Sequence, residues 1–158
     1  MQRVPMTPEG HAKLVEVLKY HKEFLRMKIV QDIEEARAHG DISENSEFED
    51  AKHRQALCEG RIRDLEGKLA ACEVIDVKRI PPSSRVIFGV TVEVEDQDTE
   101  DEHVYRIVGT DEADVKEGRI SVTSPLGRAL VGQEIGDEVR FQTPNGVRTF
   151  VINDVHYR

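Results

Sequence analysis

Long apolar runs are missing from this 158-residue chain, in which charged residues make up 34% and hydrophobic residues 38%. A transmembrane helix needs about 20 consecutive, mostly apolar residues, so the sequence excludes spans of that kind. The first ten residues, MQRVPMTPEG, contain no apolar core of the kind found in signal peptides. We therefore expect a cytoplasmic protein without a membrane partner.

Cysteine is also scarce, since the chain contains Cys58 and Cys72 and no others. Both fall in one predicted helix, where a rise of about 1.5 Å per residue separates them by roughly 21 Å. That distance excludes a disulfide between them. No grouping of His and Cys has the spacing of a zinc site. We expect two reduced, buried thiols.

An excess of basic residues is absent as well. Lys and Arg number 22 against 31 Asp and Glu, which gives a net charge of −9. Such a chain gains little from attraction to phosphates, so we expect weak or no independent binding to nucleic acid. If the protein acts on nucleic acid, another molecule holds that nucleic acid.

Glycine and proline are absent between Gly10 and Gly40. Thr7 is a suitable N-cap and Pro8 suits the first helical position, so a helix is predicted to begin there. Its apolar residues recur every three or four positions, with a polar gap at His21. Gly40 is predicted to end it.

A second helix is predicted over residues 43–75, with a strict heptad repeat. Its seam comprises Phe48, Ala51, Gln55, Cys58, Ile62, Leu65, Leu69 and Cys72. Because a short connection joins two helices of similar length, they are expected to pack antiparallel. Residues 1–79 are thus predicted to form an antiparallel coiled-coil hairpin.

The pattern changes at Pro81 and Pro82, which stop a helix. Beyond them the apolar residues alternate with polar ones, which predicts strands. The predicted strands are VIFGVTVEVED, VYRIVG, RISVTS, EVRFQT and VRTFVINDV. Ser124 and Pro125 open one short helix. Residues 80–158 are predicted to form a small, mostly antiparallel β domain, so the fold class is α+β. The acidic run from Glu93 to Glu102 is interpreted as a solvated hairpin loop.

The segment ARAHGDISENSEFED, at the predicted turn between the two helices, places Asp41 and Glu44 three residues apart. One interpretation is a capping box that starts the second helix. The other is half of a magnesium site, because Mg²⁺ often binds one or two protein carboxylates together with a substrate phosphate. The two interpretations do not exclude each other.

At these residues the chain closely resembles the bacterial Gre transcript-cleavage factors of the GreA type. The motifs that carry the resemblance are VPMTPEG, EARAHGDISENSEFEDAK, CEGRIRDLEGKL, RVIFG, YRIVGTDEAD and ISVTSPLGRALVG. The resemblance implies a coiled-coil hairpin followed by an FKBP-like β domain. It also implies that the hairpin enters the secondary channel of RNA polymerase and stimulates the polymerase's own cleavage of backtracked nascent RNA.

The resemblance assigns roles by position. Asp41 and Glu44 would hold the second Mg²⁺ of the polymerase site, which is shared with the polymerase and not bound tightly by the free protein. Ser43 and Asn45 would support that pair. Phe48 stands where many relatives have Tyr, so a role for a hydroxyl group is lost and core packing is expected.

The family's basic patch facing the RNA 3′ end matches Arg37 and Lys52, for which a solvated helix face with i,i+4 ion pairs is the alternative. Ser124, Pro125 and Arg128 are candidates for docking on the polymerase. On this view the protein is not an enzyme itself.

Two other functions stay open. A prolyl isomerase would need an aromatic pocket, and this half of the chain offers few aromatic rings. A channel-binding inhibitor of polymerase with the same fold is the stronger alternative.

Overall fold

The computed structural model describes residues 3–38 and 46–158. Contacts divide the chain into two compact units. We call His11–Ala71 the hairpin unit, and Met1–Gly10 together with Cys72–Arg158 the β unit. The predicted boundary between a hairpin domain, residues 1–79, and a β domain, residues 80–158, stays a prediction. The contacts, in contrast, change from one unit to the other after residues 10 and 71.

The first predicted helix is interrupted. It comprises α1 (Pro8–Tyr20) and α2 (Arg26–Ala38), separated by a π-helical turn over His21–Leu25. The predicted N-cap is confirmed, because the Gly10 N–H donates to Thr7 Oγ1 at 3.1 Å. The π turn begins at the residue that breaks the apolar seam, and His21 Nδ1 lies 2.8 Å from the Val17 carbonyl oxygen. Such turns mark a local strain or a functional requirement in a helix.

Helix α3 spans Ser46–Ala71 and is shorter than predicted at its C-terminal end. Cys72 is the first residue of a strand instead, so the prediction that both cysteines lie in one helix is wrong, and the helical estimate of their separation does not apply. Neither cysteine forms a disulfide within the described chain, and both are nevertheless buried, as expected.

The apolar core of the hairpin unit follows the predicted seam. Its buried cluster comprises Ile29, Ile33, Ala51, Cys58 and Ile62, with Leu18, Leu25 and Phe48 packed against it. Leu65, one heptad step further, is fully buried. Gln55 and Leu69 are partly exposed, so the seam is deepest in its middle.

A five-stranded sheet forms the centre of the β unit, in the order β5-β4-β3-β7-β6. Its strands are β3 (Thr91–Asp96), β4 (Glu102–Val108), β5 (Arg119–Ser121), β6 (Glu138–Thr143) and β7 (Gly146–His156). Neighbours pair antiparallel except β4 and β5, which are parallel. The predicted α+β class with a mostly antiparallel sheet is therefore confirmed.

A second, two-stranded sheet was not predicted. Strand β1 (Val4–Met6) pairs in parallel with β2 (Cys72–Val74), with Val4 opposite Cys72. This pairing links segments almost seventy residues apart. It explains why the first residues of the chain group with the β unit.

The predicted strand over residues 86–96 begins five residues later than expected. Val86 and Val90 are fully buried, so the apolar pattern is real. Gly89 lies between them with a φ of 91°, a left-handed conformation that a strand does not contain. This segment fills the core as irregular chain, and its backbone hydrogen bonds to the sheet run between Gly89 or Val90 and Ile107.

The core of the β unit lies beneath the sheet and includes the short helix α4 (Pro125–Leu130). Its buried residues are Val77, Val86, Phe88, Val90, Val92, Val94, Ile107, Ile120, Leu130, Val139, Phe150, Ile152 and Val155. The helix is capped as predicted, since the Gly127 N–H donates to Ser124 Oγ at 3.1 Å.

Among the described helices, none combines the length and the apolar character that crossing a bilayer requires.

Candidate functional site at the end of the hairpin

The predicted metal-binding pair, Asp41 and Glu44, lies outside the described residues, as do its predicted supports Ser43 and Asn45. The structure does describe the two helices on either side of residues 39–45. Helix α2 ends at Ala38 and α3 begins at Ser46. The structure therefore shows the two helices that flank the candidate site.

Three ion pairs between described residues join the two sides of the hairpin. They are Lys22 with Glu66 at 3.7 Å, Arg26 with Glu59 at 2.9 Å, and Arg54 with Asp32 at 3.0 Å. Each step along the chain toward Ala38 is matched by a step back along α3 toward Ser46. The helices are therefore antiparallel and their register is fixed at several points. Each partly exposed pair contributes about 0–1 kcal/mol, so their value lies in register more than in stability.

A contact between Arg37 and Phe48 lies close to the described ends of α2 and α3. The Arg37 guanidinium carbon lies 5.9 Å from the centre of the Phe48 ring, within range of a cation–π interaction. Phe48 also packs against the buried cluster of the hairpin unit, which confirms the core role expected for it. Its ring therefore connects the apolar seam to the end of the helix pair.

The predicted basic patch consists of two exposed side chains. Arg37 lies in the last turn of α2, over the Phe48 ring, whereas Lys52 Nζ donates to Gln55 Oε1 at 3.2 Å on α3. Among the described residues, the interaction recorded for Lys52 is thus a hydrogen bond to a neutral amide, and the alternative of an ion pair with a nearby acid stays a prediction. Both cations keep exposed charge, and their orientation toward RNA stays a prediction.

An acidic groove on the same part of the hairpin was not predicted. Its lining comprises Asp32, Glu35, Ala36, Glu47, Asp50 and Arg54. Arg54 bonds both Asp32 at 3.0 Å and Asp50 at 3.2 Å. These contacts, the one to Asp32 first, raise the pKa of Arg54 above its usual value, so the guanidinium stays charged. The groove could not be found from spacing alone because its carboxylates come from two helices.

The three docking candidates differ in the structure. Ser124 caps α4 and also donates to the Ser121 carbonyl oxygen at 2.6 Å, so its hydroxyl has a structural role. Pro125 and Arg128 are exposed. Leu126 packs against the core.

Two of the motifs quoted above meet at Glu112, a residue that the sequence did not single out. Its carboxylate accepts from the Thr7 N–H at 3.1 Å, from the Gly109 N–H at 2.9 Å and from the Thr7 hydroxyl. Thr7 is 1% exposed, so these bonds are shielded from water. These hydrogen bonds therefore hold the segments VPMTPEG and YRIVGTDEAD together. A hydrogen-bond network between residues that are so distant in the chain leaves no pattern in a single sequence.

The aromatic side chains of the β unit stack on one another. His103, Tyr105 and Phe150 lie in near-parallel pairs with ring centres 5.6–6.5 Å apart, and Phe141 meets Phe150 edge-on at 4.8 Å. Burial raises the pKa of Tyr105 above its usual value. These rings pack against one another and against the core of the β unit.

Comparison with known proteins decides the family. A family model described as "Transcription elongation factor, N-terminal" matches residues 4–74, and one described as "Transcription elongation factor, GreA/GreB, C-term" matches residues 81–157. The chain belongs to the GreA/GreB family of transcription elongation factors.

Relatives of the GreA type match this member of the family along its whole length. GreA of Psychrobacter cryohalolentis is 52% identical over 157 residues, which is 99% of either chain. GreA of Hyphomonas neptunium is 52% identical over 158 residues and all of both chains, and that of Haemophilus influenzae is 48% identical over 99% of both. The identification by resemblance is confirmed, and a role in transcription elongation follows from it.

Solved structures of two relatives also align with this GreA/GreB chain. The GreA factor homolog Gfh1 of Thermus thermophilus is 28% identical, with 98% of this chain and 99% of that one covered and a TM-score of 0.44. The GreA/GreB factor of Nitrosomonas europaea is 24% identical, with 98% and 100% covered and a TM-score of 0.43.

Proposed function

We propose that this chain binds bacterial RNA polymerase, that its hairpin enters the secondary channel, and that residues 41–44 stimulate the polymerase's own cleavage of backtracked nascent RNA. The protein would rescue arrested complexes without being an enzyme itself. Membership of the GreA/GreB family supports a role in elongation. The finer mechanism rests on the hairpin and on the chemistry of two carboxylates.

The observation that carries the proposal is the register-locked antiparallel pair of helices leading to residues 39–45. Helix α3 has 26 residues, which at 1.5 Å each gives a length of about 39 Å. Two helices side by side, each about 10–12 Å across, are narrow enough for a channel in a large protein. The buried seam and the cross-helix ion pairs oppose sliding of one helix past the other, so α2 and α3 form a fixed support on either side of residues 39–45.

Asp41 and Glu44 would hold the second Mg²⁺, while the polymerase holds the first. Their oxygen ligands suit a hard cation, and two carboxylates alone do not enclose one. The free chain is therefore expected to bind Mg²⁺ weakly. When bound in the complex, this ion would supply an activated water for hydrolysis of the phosphodiester. Ser43 and Asn45 would orient the two carboxylates.

The remaining candidate residues would position the partners. Arg37 and Lys52 keep exposed positive charge close to the end of the hairpin and would face the RNA 3′ end. Pro125 and Arg128 are exposed on α4 and would contribute to docking of the β unit. The net charge of −9 favours contact with RNA inside a polymerase complex over independent binding to nucleic acid.

The test is RNA cleavage by a backtracked polymerase complex in the presence of Mg²⁺. The parent chain is compared with Asp41→Asn/Glu44→Gln and with a matched control, Glu16→Gln/Glu23→Gln, which removes two exposed carboxylates of the hairpin elsewhere. We expect the parent and the control to release a 3′ RNA fragment. The tip variant should lose at least about 100-fold in rate, which is the order of loss when a group that stabilises transition-state charge is removed.

Binding to the polymerase is measured in parallel, because the tip variant should bind as the parent does. A tip variant that no longer binds would contradict the catalytic role of the two carboxylates. If the parent binds and slows elongation without releasing RNA, the chain is a channel-binding inhibitor and the proposal is wrong.

A further inference from the structure

A cluster of metal-binding side chains lies in the β unit, on strands that the proposed function does not use. It consists of Glu93 on β3 and of Asp154 and His156 on β7. His156 Nε2 lies 2.8 Å from Glu93 Oε2 and 3.5 Å from Asp154 Oδ2. Each side chain is partly exposed, so an ion from solution could reach all three.

The backbone brings these groups to one face of the sheet. Glu93 is paired directly with Asp154, and His156 is two residues further along the same strand, so its side chain points the same way. The register between β3 and β7 shifts next to this pair, because Glu93 opposes Asp154 whereas Val94 opposes Ile152. Asn153 is thus the extra residue of a β-bulge. A β-bulge interrupts the regular pairing of two strands and changes the direction of nearby side chains.

Two carboxylates placed directly opposite each other in a sheet repel, which destabilises the pairing unless a cation lies between them. Within the described residues, the cation recorded beside both is the His156 imidazole, which is charged only when it is protonated. The nearby Arg106 is bonded to Glu9 and to the Gly89 carbonyl oxygen. The cluster therefore has the charge balance of a site that accepts a positive ion.

Donor type and spacing indicate which ion. Donors bound tetrahedrally at about 2.0–2.1 Å from Zn²⁺ are about 3.3 Å from one another. The two measured separations, 2.8 Å and 3.5 Å, bracket that value. One imidazole nitrogen with two carboxylates suits zinc and similar divalent transition metals, whereas Mg²⁺ and Ca²⁺ prefer oxygen ligands throughout.

We propose that Glu93, Asp154 and His156 bind one Zn²⁺ ion on the outer face of the sheet, with a fourth position left for water. The ion would join β3 to β7 beside the bulge and neutralise the two opposed carboxylates. The site is separate from residues 41–44 in sequence and in chemistry, so it stands or falls independently of the cleavage function.

The experiment is calorimetric titration of the full chain with ZnCl₂ near neutral pH, with MgCl₂ titrated in parallel. We expect one Zn²⁺ per chain and no matching signal with Mg²⁺. His156→Ala should weaken zinc binding at least about tenfold, because even loss of a group that only orients a ligand has an effect of that size. His53→Ala removes an exposed histidine of α3 and serves as the matched control, which should bind as the parent does.

Amide NMR spectra locate the ion and check the fold of each variant. Zinc should shift the signals of residues around 93 and 154–156 in the parent and in the control, and shift them less in His156→Ala at the same zinc concentration. The absence of saturable zinc binding overturns the proposal. Equal affinity of His156→Ala and the parent overturns it as well, since the metal is then held elsewhere.

Discussion

The hairpin unit and the β unit are held together in different ways. The β unit surrounds a core of thirteen buried residues, most of them nearly inaccessible to water. Among its described residues, the hairpin unit has a buried cluster of five, and polar pairs on its surface supplement this thin seam. A pair of helices can bury one stripe of each helix and no more. A long, narrow pair of helices therefore has a smaller buried core than the β unit.

Placing a charge in the buried seam should cause the largest difference in stability between the hairpin unit and the β unit. Ile62 is 2% exposed and belongs to the buried cluster, so Ile62→Asp should cost more than about 4 kcal/mol, since the carboxylate has no buried partner there. We expect the helical far-UV CD signal to fall while the amide NMR signals of the β unit persist.

Leu57 is the matched control, because it lies on the same helix but is 61% exposed. Leu57→Asp should change stability by no more than about 0.5 kcal/mol. If Ile62→Asp melts at the same temperature as the parent, the seam is not the main support of the hairpin unit.

A smaller effect, confined to the β unit, is expected from Gly127→Ala. A Cβ at this position of α4 would lie 2.1 Å from the Ser121 backbone carbonyl oxygen, a contact that a flexible side chain cannot relieve. The strand or the helix must move, which costs about 1–3 kcal/mol. The midpoint of chemical denaturation, followed by the near-UV signal of the tyrosines, measures this loss.

The same substitution in the hairpin unit should have the opposite sign. Gly67 lies within α3, and a Cβ there would meet nothing within 4 Å. Gly67→Ala should therefore stabilise the helix by up to about 1 kcal/mol, the difference in helix propensity between the two residues. Equal destabilisation by both alanines would show that the two units do not differ in packing as described.

Local and periodic features of the fold could be predicted from the sequence. The two helical segments, the Thr7 and Ser124 caps and the buried seam follow from spacing and capping chemistry within a few residues. The resemblance then identified the family before any geometry was known. These successes share one property, which is that the signal and the structure are close together in the chain.

What could not be predicted depends on residues that are distant in sequence. The pairing of β1 with β2, the Glu112 network and the cluster at His156 each join segments that no periodicity connects. Competition between local patterns also misled the prediction. Gly89 turned a predicted strand into irregular chain, and a strand replaced the predicted helix at Cys72. The pair Asp41 and Glu44 stays a prediction.

The acidic run from Glu93 to Glu102 is another segment whose structure the local sequence pattern did not predict. This run was interpreted as a solvated loop, yet Asp96 within it is 0% exposed. The Asp98 N–H at 2.8 Å is the chief cause that holds the pKa of Asp96 below its usual value, aided by Arg148. Burial alone would raise that pKa, so the hydrogen bonds outweigh it.

A carboxyl group whose pKa is lower in the folded state stabilises the fold above its unfolded pKa, about 3.9 for Asp, and loses that contribution as the pH falls through the folded value. Asp96→Asn should therefore destabilise the β unit near neutral pH, and its difference from the parent should shrink as the pH falls below about 4. Urea denaturation across this range measures the difference. Asp98→Asn, which removes an exposed carboxylate but keeps the backbone N–H, should follow the parent profile. A constant gap between Asp96→Asn and the parent at every pH would mean that shape, rather than charge, is what Asp96 contributes to the β unit.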